Sequence, residues 1–343
     1  MTKVAIVILN WNGKHFLEKF LSSVVNNSQP AGYLIYVADN GSTDNSIEFL
    51  KQNFPSIKLI LFDKNYGFTG GYNKALAEID AEYFVLLNSD VEVTPDWIKP
   101  IIDLMDSNSQ IAACQPKIKA YHDRGKFEYA GAAGGFIDKF GYPFCRGRIL
   151  NKIETDNGQY DDVREIFWAT GACMFVRAEL YKKIGGLDDL FFAHMEEIDL
   201  CWRLKNAGYK IYVVPTVTVY HVGGGTLPNN NPRKLFYNYR NNLFLLYKNI
   251  DKRKLFSTIV FRMLLDGLSA FTYLATFRFT YFITVFKAHI KFYNTIKDLK
   301  IKRLEIEQFS KSIKHNEIYS QSLVFSFFIK KLHTFDKFKF DKF

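Results

Sequence analysis

The 343-residue sequence predicts an α/β fold on a mainly parallel sheet, followed by a helical C-terminal extension of different character. Three observations lead there. Short apolar runs alternate with helix-period segments over the first ninety residues, which argues for parallel strands joined by right-handed crossovers. Each of those runs ends in amides and acids. The net charge of +10 lies wholly in residues 251–343, with 18 Lys and Arg against 8 Asp and Glu, so residues 1–250 are neutral.

The elements follow in order. "KVAIVILNW" is a short β-rich run, and "GKHFLEKFLSSVVNN" places Phe16, Leu17, Phe20, Leu21 and Val24 at helical spacing. "LIYVADN" is a second strand, closed by an Asp-Asn-Gly turn and a helix that Ser42 or Thr43 can cap. "IKLILFD" is the third strand, "GYNKALAEI" a helix opened by "GFTGG", and "YFVLLNSD" the fourth strand. Cys114, Cys145, Cys173 and Cys201 form no CxxC pair, so buried reduced thiols are expected instead of zinc or disulfides. "VAIVIL" enters directly from "MTK" and meets no small-residue cleavage site, which points to a cytoplasmic protein.

In such sheets the ligand sits beyond the carboxyl ends of the strands. Those ends carry Asn10 to Asn12, Asp39 and Asn40, Asp63 to Asn65, and Asn88 to Asp90. No GxxxxGK[ST] loop and no GxGxxG fingerprint occurs, so neither a P-loop nor a dinucleotide site is indicated. An acidic edge binds phosphates through a divalent cation, and Mg2+ or Mn2+ suits one or two carboxylates completed by substrate and water. In "VLLNSDVEV", Asp90 is the natural anchor; Asn-Ser-Asp also reads as a turn before "TPDWIKPII".

The blocks "VAIVILNWNG", "ADNGSTDNS", "NYGFTGGYN", "VLLNSDVEV", "WATGACMFV", "HMEEIDLCWR" and "YHVGGGT" resemble family 2 glycosyltransferases, nearest the rhamnosyltransferase-like and galactofuranosyltransferase-like branch. The resemblance covers roughly residues 3–245. It implies a GT-A fold (a Rossmann-like mixed sheet), a nucleotide-sugar donor such as a dTDP- or UDP-sugar, a divalent cation and inversion at the anomeric carbon. It implies a catalytic domain over 1–232, with a nucleotide-sugar half to about 110 and an acceptor half beyond. It places Asn10, Asn12, Asp39, Gly70, Gly71, Asn73 and Asn88 on the nucleotide-sugar, Asp90 and His221 on the metal, and Trp168 and Gly171 on the acceptor side. Asn88 stands where the family has the first aspartate of its DxD, so Asp90 must supply the charge.

In "HMEEIDLCWR" the second acid of the family pair is the general base. That position is Glu197, with Glu196 as the alternative. Asp199 and Arg203 form an ordinary i,i+4 helical pair and are assigned to structure. A nucleotide-sugar sensor and a Rossmann-type oxidoreductase are the competing functions. Filled metal, base and histidine positions argue against the first, and the absent glycine fingerprint against the second.

Residues 233–343 read as a helical region that is basic and aromatic, with 16 of the 33 phenylalanines after residue 250. Arg262, Asp266, Arg278 and Lys287 interrupt its apolar stretch, so a bilayer span of about twenty residues is not available. Helices lying on an anionic membrane surface fit better, placing the protein on the inner face of the cell membrane near a glycan or lipid-linked acceptor. A helical subdomain packed on the body or on a second copy, forming a homo-oligomer, is the alternative. The region is too apolar for a nucleic-acid arm.

Overall fold

A computed structural model describes residues 1–223, 231–311 and 313–340. The strands of the first half are β1 (Thr2–Asn10), β2 (Leu34–Asp39), β3 (Lys58–Leu61), β4 (Ala81–Asn88), β5 (Val91–Val93) and β6 (Ile111–Ala120). They alternate with α1 (Lys14–Asn26), α2 (Ser46–Asn53), α3 (Gly67–Ala77) and α4 (Lys99–Ser107). β7 (Gly135–Asp138), β8 (Pro143–Cys145), β9 (Arg148–Ile149) and β10 (Lys152–Ile153) build a smaller sheet. β11 (Arg164–Ile166), β12 (Cys173–Arg177), α5 (Ala178–Lys183), α6 (Glu196–Asn206) and β13 (Lys210–His221) return to the main one.

The main sheet has nine strands in the order β11-β13-β6-β12-β4-β1-β2-β3, with β5 paired to β13. β1 runs parallel to β2 and β4, while β12 inserts antiparallel between β4 and β6. The first strand is apolar from Val4 to Leu9 because both sheet faces are covered. Val4, Ile6 and Ile8 point into one core with Leu17 and Leu21 of α1, whereas Ala5 and Val7 meet Tyr72, Ala75 and Leu76 of α3. All four cysteines are free and buried, as the sequence led us to expect. α3 starts at Gly67, earlier than the "GFTGG" turn suggested, so Gly70 and Gly71 lie within it. A Cβ on Gly71 would stand 2.7 Å from Leu9 Cδ1, which is why the helix can sit close on β1.

The C-terminal region is less separate than its composition implied. α7 (Pro232–Asn249) is followed by a hairpin of α8 (Lys252–Ala275) and α9 (Phe279–Glu307), then β14 (Ile318–Tyr319) and α10 (Leu323–Phe328). β14 pairs in parallel with β7, completing the five-stranded sheet. Phe335 packs on Phe136 at 4.8 Å between ring centroids, and Phe338 on Phe144 at 5.5 Å. Residues 318–340 thus belong to the body's core. α7 is tied in as well: Arg240 and Asn241 donate to the carbonyls of Phe191 (2.8 and 3.1 Å), and Asn241 also to those of Ala193 and His194. A division at residue 232 would cut these bonds.

Candidate active site

The carboxyl ends of β1 and β2 are held together by their own polar residues. Asn10 Nδ2 donates to Asp39 Oδ2 at 2.9 Å and to Ser42 Oγ at 3.2 Å, and Asp39 Oδ1 accepts from the Ser42 amide at 2.9 Å. Asn10 is fully buried, yet its Oδ1 has no hydrogen-bond partner. Asn12 adopts a left-handed φ of 50° and accepts from the Thr43 amide at 2.7 Å, fastening the two loops. Asn10 and Asn12 therefore shape this edge and hold Asp39 in place on it.

The opposite side of the edge gathers Asn88, Asp90 and His221. β5 pairs His221 with Val91, which carries the imidazole to the end of β4. His221 Nε2 lies 3.1 Å from Asp90 Oδ1 and 3.5 Å from Asn88 Nδ2. Its Nδ1 has no hydrogen-bond partner and faces Glu128 Oε1 at 3.6 Å. Burial alone would lower the His221 pKa, but Glu128 and Asp90 outweigh it and push it up to about 10. Burial likewise disfavours the Asp90 carboxylate, and the hydrogen bond and charge of His221 overcome this and hold it below the usual carboxylate range.

This arrangement fits a cation. Two donors about 2.1 Å from one octahedral ion lie roughly 3 Å apart, which matches Asp90 Oδ1 and His221 Nε2, provided the ion displaces the proton that the raised pKa keeps on the imidazole. Glu128 stands where a metal-bound histidine needs an acceptor for its other N–H. Among the described residues no three His, Cys, Asp or Glu side chains form a closed cage, so diphosphate and water would have to complete the shell.

The two acids open α6. Phe192, His194 and Met195 all have left-handed φ values of 65° to 72°, a costly conformation for non-glycine residues. The α7 side chains that bond this loop hold it there. Glu196 is buried, and burial together with the charge of Glu197 raises its pKa well above the ordinary range. Glu197 is half-buried, its Oε2 lacks a partner, and burial pushes its pKa up to about 7. Asp199 is spent on structure, as its spacing suggested: it pairs with Arg203 at 2.8 Å and Lys248 at 2.9 Å.

The acid and metal clusters share a border. The Asn88 amide donates to the carbonyl of Ala172 at 2.9 Å. A Cβ on the adjoining Gly171 would lie 3.8 Å from Glu197 Cβ and 3.5 Å from Phe68, ordinary contacts that place this glycine directly against the acid. Three other sequence candidates are occupied with packing. Asn73 uses its side chain on Leu187, Asp189 and Tyr181, pinning the loop before α6. Gly70 faces Tyr66 inside α3. Trp168 is buried on Gly135 with its indole donating to the Phe136 carbonyl at 2.9 Å, so it does not reach an acceptor surface. The glycine run after Val222 lies outside the described residues from Gly224 on.

Sequence reasoning missed Glu128 and the α7 clamp. Glu128 sits in a loop 93 residues before His221 with no periodic context. Its one trace is Gly223, where a Cβ would fall 2.7 Å from Glu128 Oε1.

Comparison with known proteins identifies the family and the fold. Residues 5–185 match the family model described as glycosyl transferase family 2. N-acetylglucosaminyl-diphospho-decaprenol L-rhamnosyltransferase of Mycobacterium tuberculosis is 27% identical over 235 residues, covering 63% of this chain and 75% of that protein. Rhamnosyltransferase WbbL of Escherichia coli is 26% identical over 229 residues, covering 64% and 83%. Mannosyltransferase PcManGT from Pyrobaculum calidifontis, solved with GDP-Man and Mn2+, superposes with a TM-score of 0.53 at 12% identity, covering 90% of this chain and 85% of that one. GalNAc-T7, solved with UDP, GalNAc and Mn2+, gives 0.55 at 16% identity over 74% of this chain, which spans 49% of that chain. These likenesses show the GT-A fold.

Proposed function

The chain belongs to glycosyl transferase family 2, and we propose that it moves a sugar, with inversion, from a nucleoside-diphosphate sugar to a glycan or lipid-linked acceptor in cell-surface polysaccharide synthesis. The observation that carries this is the Asp90–His221 pair bordering Gly171 and the half-buried carboxylate of Glu197, whose Oε2 has no hydrogen-bond partner. The relatives' names, which give an L-rhamnosyl group and a diphospho-decaprenol acceptor, support a deoxysugar donor, which we take to be carried on dTDP or UDP, and a lipid-diphosphate acceptor.

Asp90 and His221 would hold Mn2+ or Mg2+, with Asn88 as a neutral neighbour. The bound cation supplies positive charge against the departing diphosphate. Asn10 and Asp39 shape the nucleotide end. The acceptor oxygen attacks the anomeric carbon while its proton passes to Glu197 Oε2. The bond to the diphosphate breaks, its electron pair leaving with the nucleotide. Gly171, set against that acid, carries no side chain to block the incoming group.

Incubation with nucleotide-sugars, Mn2+ and lipid-linked acceptors tests the reaction: release of nucleoside diphosphate with glycosylated lipid is expected. Saturable donor binding without turnover would mark a sensor. Glu128 adds a sharper check. Glu128→Gln keeps the shape but removes the charge that orients His221, so the Mn2+ needed for half-maximal UDP binding should rise about 10- to 100-fold. Calorimetric titration of Mn2+ with UDP measures this. An unchanged requirement would separate Glu128 from the metal site.

A further inference from the structure

The hairpin of α8 and α9 is inside out. A surface helix of a soluble protein turns its apolar stripe to the core. α8 does the reverse: its buried residues are Thr258, Arg262, Asp266 and Ala270. Arg262 Nε donates to Asp266 Oδ1 at 2.7 Å, and Asp266 Oδ2 meets His289 Nε2 of α9 at 3.2 Å. Arg262 also reaches the body at Asn242 and the Phe140 carbonyl. The outer face instead shows Phe256, Phe261, Leu264, Leu268 and Phe271, with Phe256 83% exposed. From Leu255 to Phe277 no charged side chain is exposed. α8 is, among the described residues, the one helix long and apolar enough to cross a membrane, yet only 22% of its most apolar stretch is buried.

We infer that the apolar outer face of this hairpin enters the hydrocarbon of one lipid leaflet, with Arg262 and Asp266 folded inward, instead of resting on the headgroups by charge alone. The inference deepens the lipid-linked-acceptor reading but rests on the hairpin's own geometry. The charges that counted against membrane entry in the sequence are Arg262, Asp266 and Arg278. The first two are paired and buried; the third is exposed in the turn between the helices, so it stays at the headgroups and the hairpin enters side-on, through the outer face of α8. The inner face of α8 is bonded to the body, so lipid cannot surround the helix and a span is excluded. Exposed Lys252, Arg253 and Lys254 at the start of α8 and exposed Arg278 after its end hold both ends of that helix at the headgroups, so the apolar face between them sinks into one leaflet. Lys252, Arg253 and Lys254 open the hairpin, and Lys287 and Lys291 flank it, all exposed. Two copies joined through this face would bring like charges together, whereas anionic headgroups complement them.

The test uses the full-length protein. Its four cysteines are buried, so Phe271→Cys offers one exposed thiol for a nitroxide, with Ile153→Cys on the body as control. On phosphatidylcholine–phosphatidylglycerol vesicles, the label at 271 should become accessible to oxygen and shielded from a water-soluble nickel complex. It should remain so in high salt. Leu264→Asp with Leu268→Asp should weaken vesicle binding at least about tenfold while leaving donor hydrolysis unchanged. A label that stays water-accessible on bound vesicles, or binding abolished by salt, would overturn the inference in favour of surface adsorption. A stable dimer indifferent to vesicles would overturn it in favour of a second copy. Depth is read without donor, so failure of the transferase reading would leave it standing.

Discussion

Asp90→Ala should abolish transfer, lowering turnover at least about a thousandfold, roughly 4 kcal/mol of transition-state stabilisation. Among the described residues the carboxylate is the only anion within hydrogen-bond distance of His221 Nε2, and Asn88 beside it is neutral. Without Asp90, His221 and an amide are left to balance the diphosphate charge through the cation. Mn2+-dependent UDP binding should weaken in parallel. Breaking a buried charged pair also costs stability, on the order of 3 kcal/mol, so the variant's melting curve must accompany its kinetics. Asp90→Asn separates the two effects, because it keeps the shape and a contact to His221 but not the charge. Wild-type turnover in Asp90→Ala with an unchanged Mn2+ requirement would remove Asp90 from the metal site.

Much of this site was legible because strand ends are local features. Asn10, Asp39, Asn88 and Asp90 each follow an apolar run directly, and a parallel sheet converges such ends on one edge. His221 was legible for the same reason. What the sequence hid depends on contacts between distant segments. Glu128 reaches His221 from a loop, and Arg240 and Asn241 reach back some 50 residues to hold the backbone before α6. Neither has a period or a spacing to betray it. Trp168 and Asn73 show the converse. Both lie in motifs that resemble functional blocks, yet the fold uses one to fill the space over Gly135 and the other to staple Leu187. The tail was misjudged in one respect: the helical turn places Arg262 and Asp266 inward, which counting charges along the chain could not reveal.

Glu197→Gln should bind donor nearly as the wild type does and lose at least about a hundredfold in rate, the usual contribution of a general base. Gln keeps the size and hydrogen-bonding capacity of the side chain but accepts no proton. The wild-type rate should climb with pH and level off above about pH 7, where burial has placed the Glu197 pKa. Stability should move the other way. The folded-state pKa lies above the ordinary 4.5, so the folded protein binds more protons than the unfolded chain between those values. That contribution is complete at low pH and is lost as pH rises through about 7. Glu197→Gln should therefore gain stability over the wild type at pH 8 and not at pH 4. Glu196→Gln should lose less activity, because burial and the charge of Glu197 push the Glu196 pKa well above the ordinary range and so favour its neutral form, which Gln imitates. Rates across pH 5 to 9 for both variants decide between the two acids. If Glu196→Gln is the more damaged and flattens the pH profile, Glu196 is the base and Glu197 the acid that supports it.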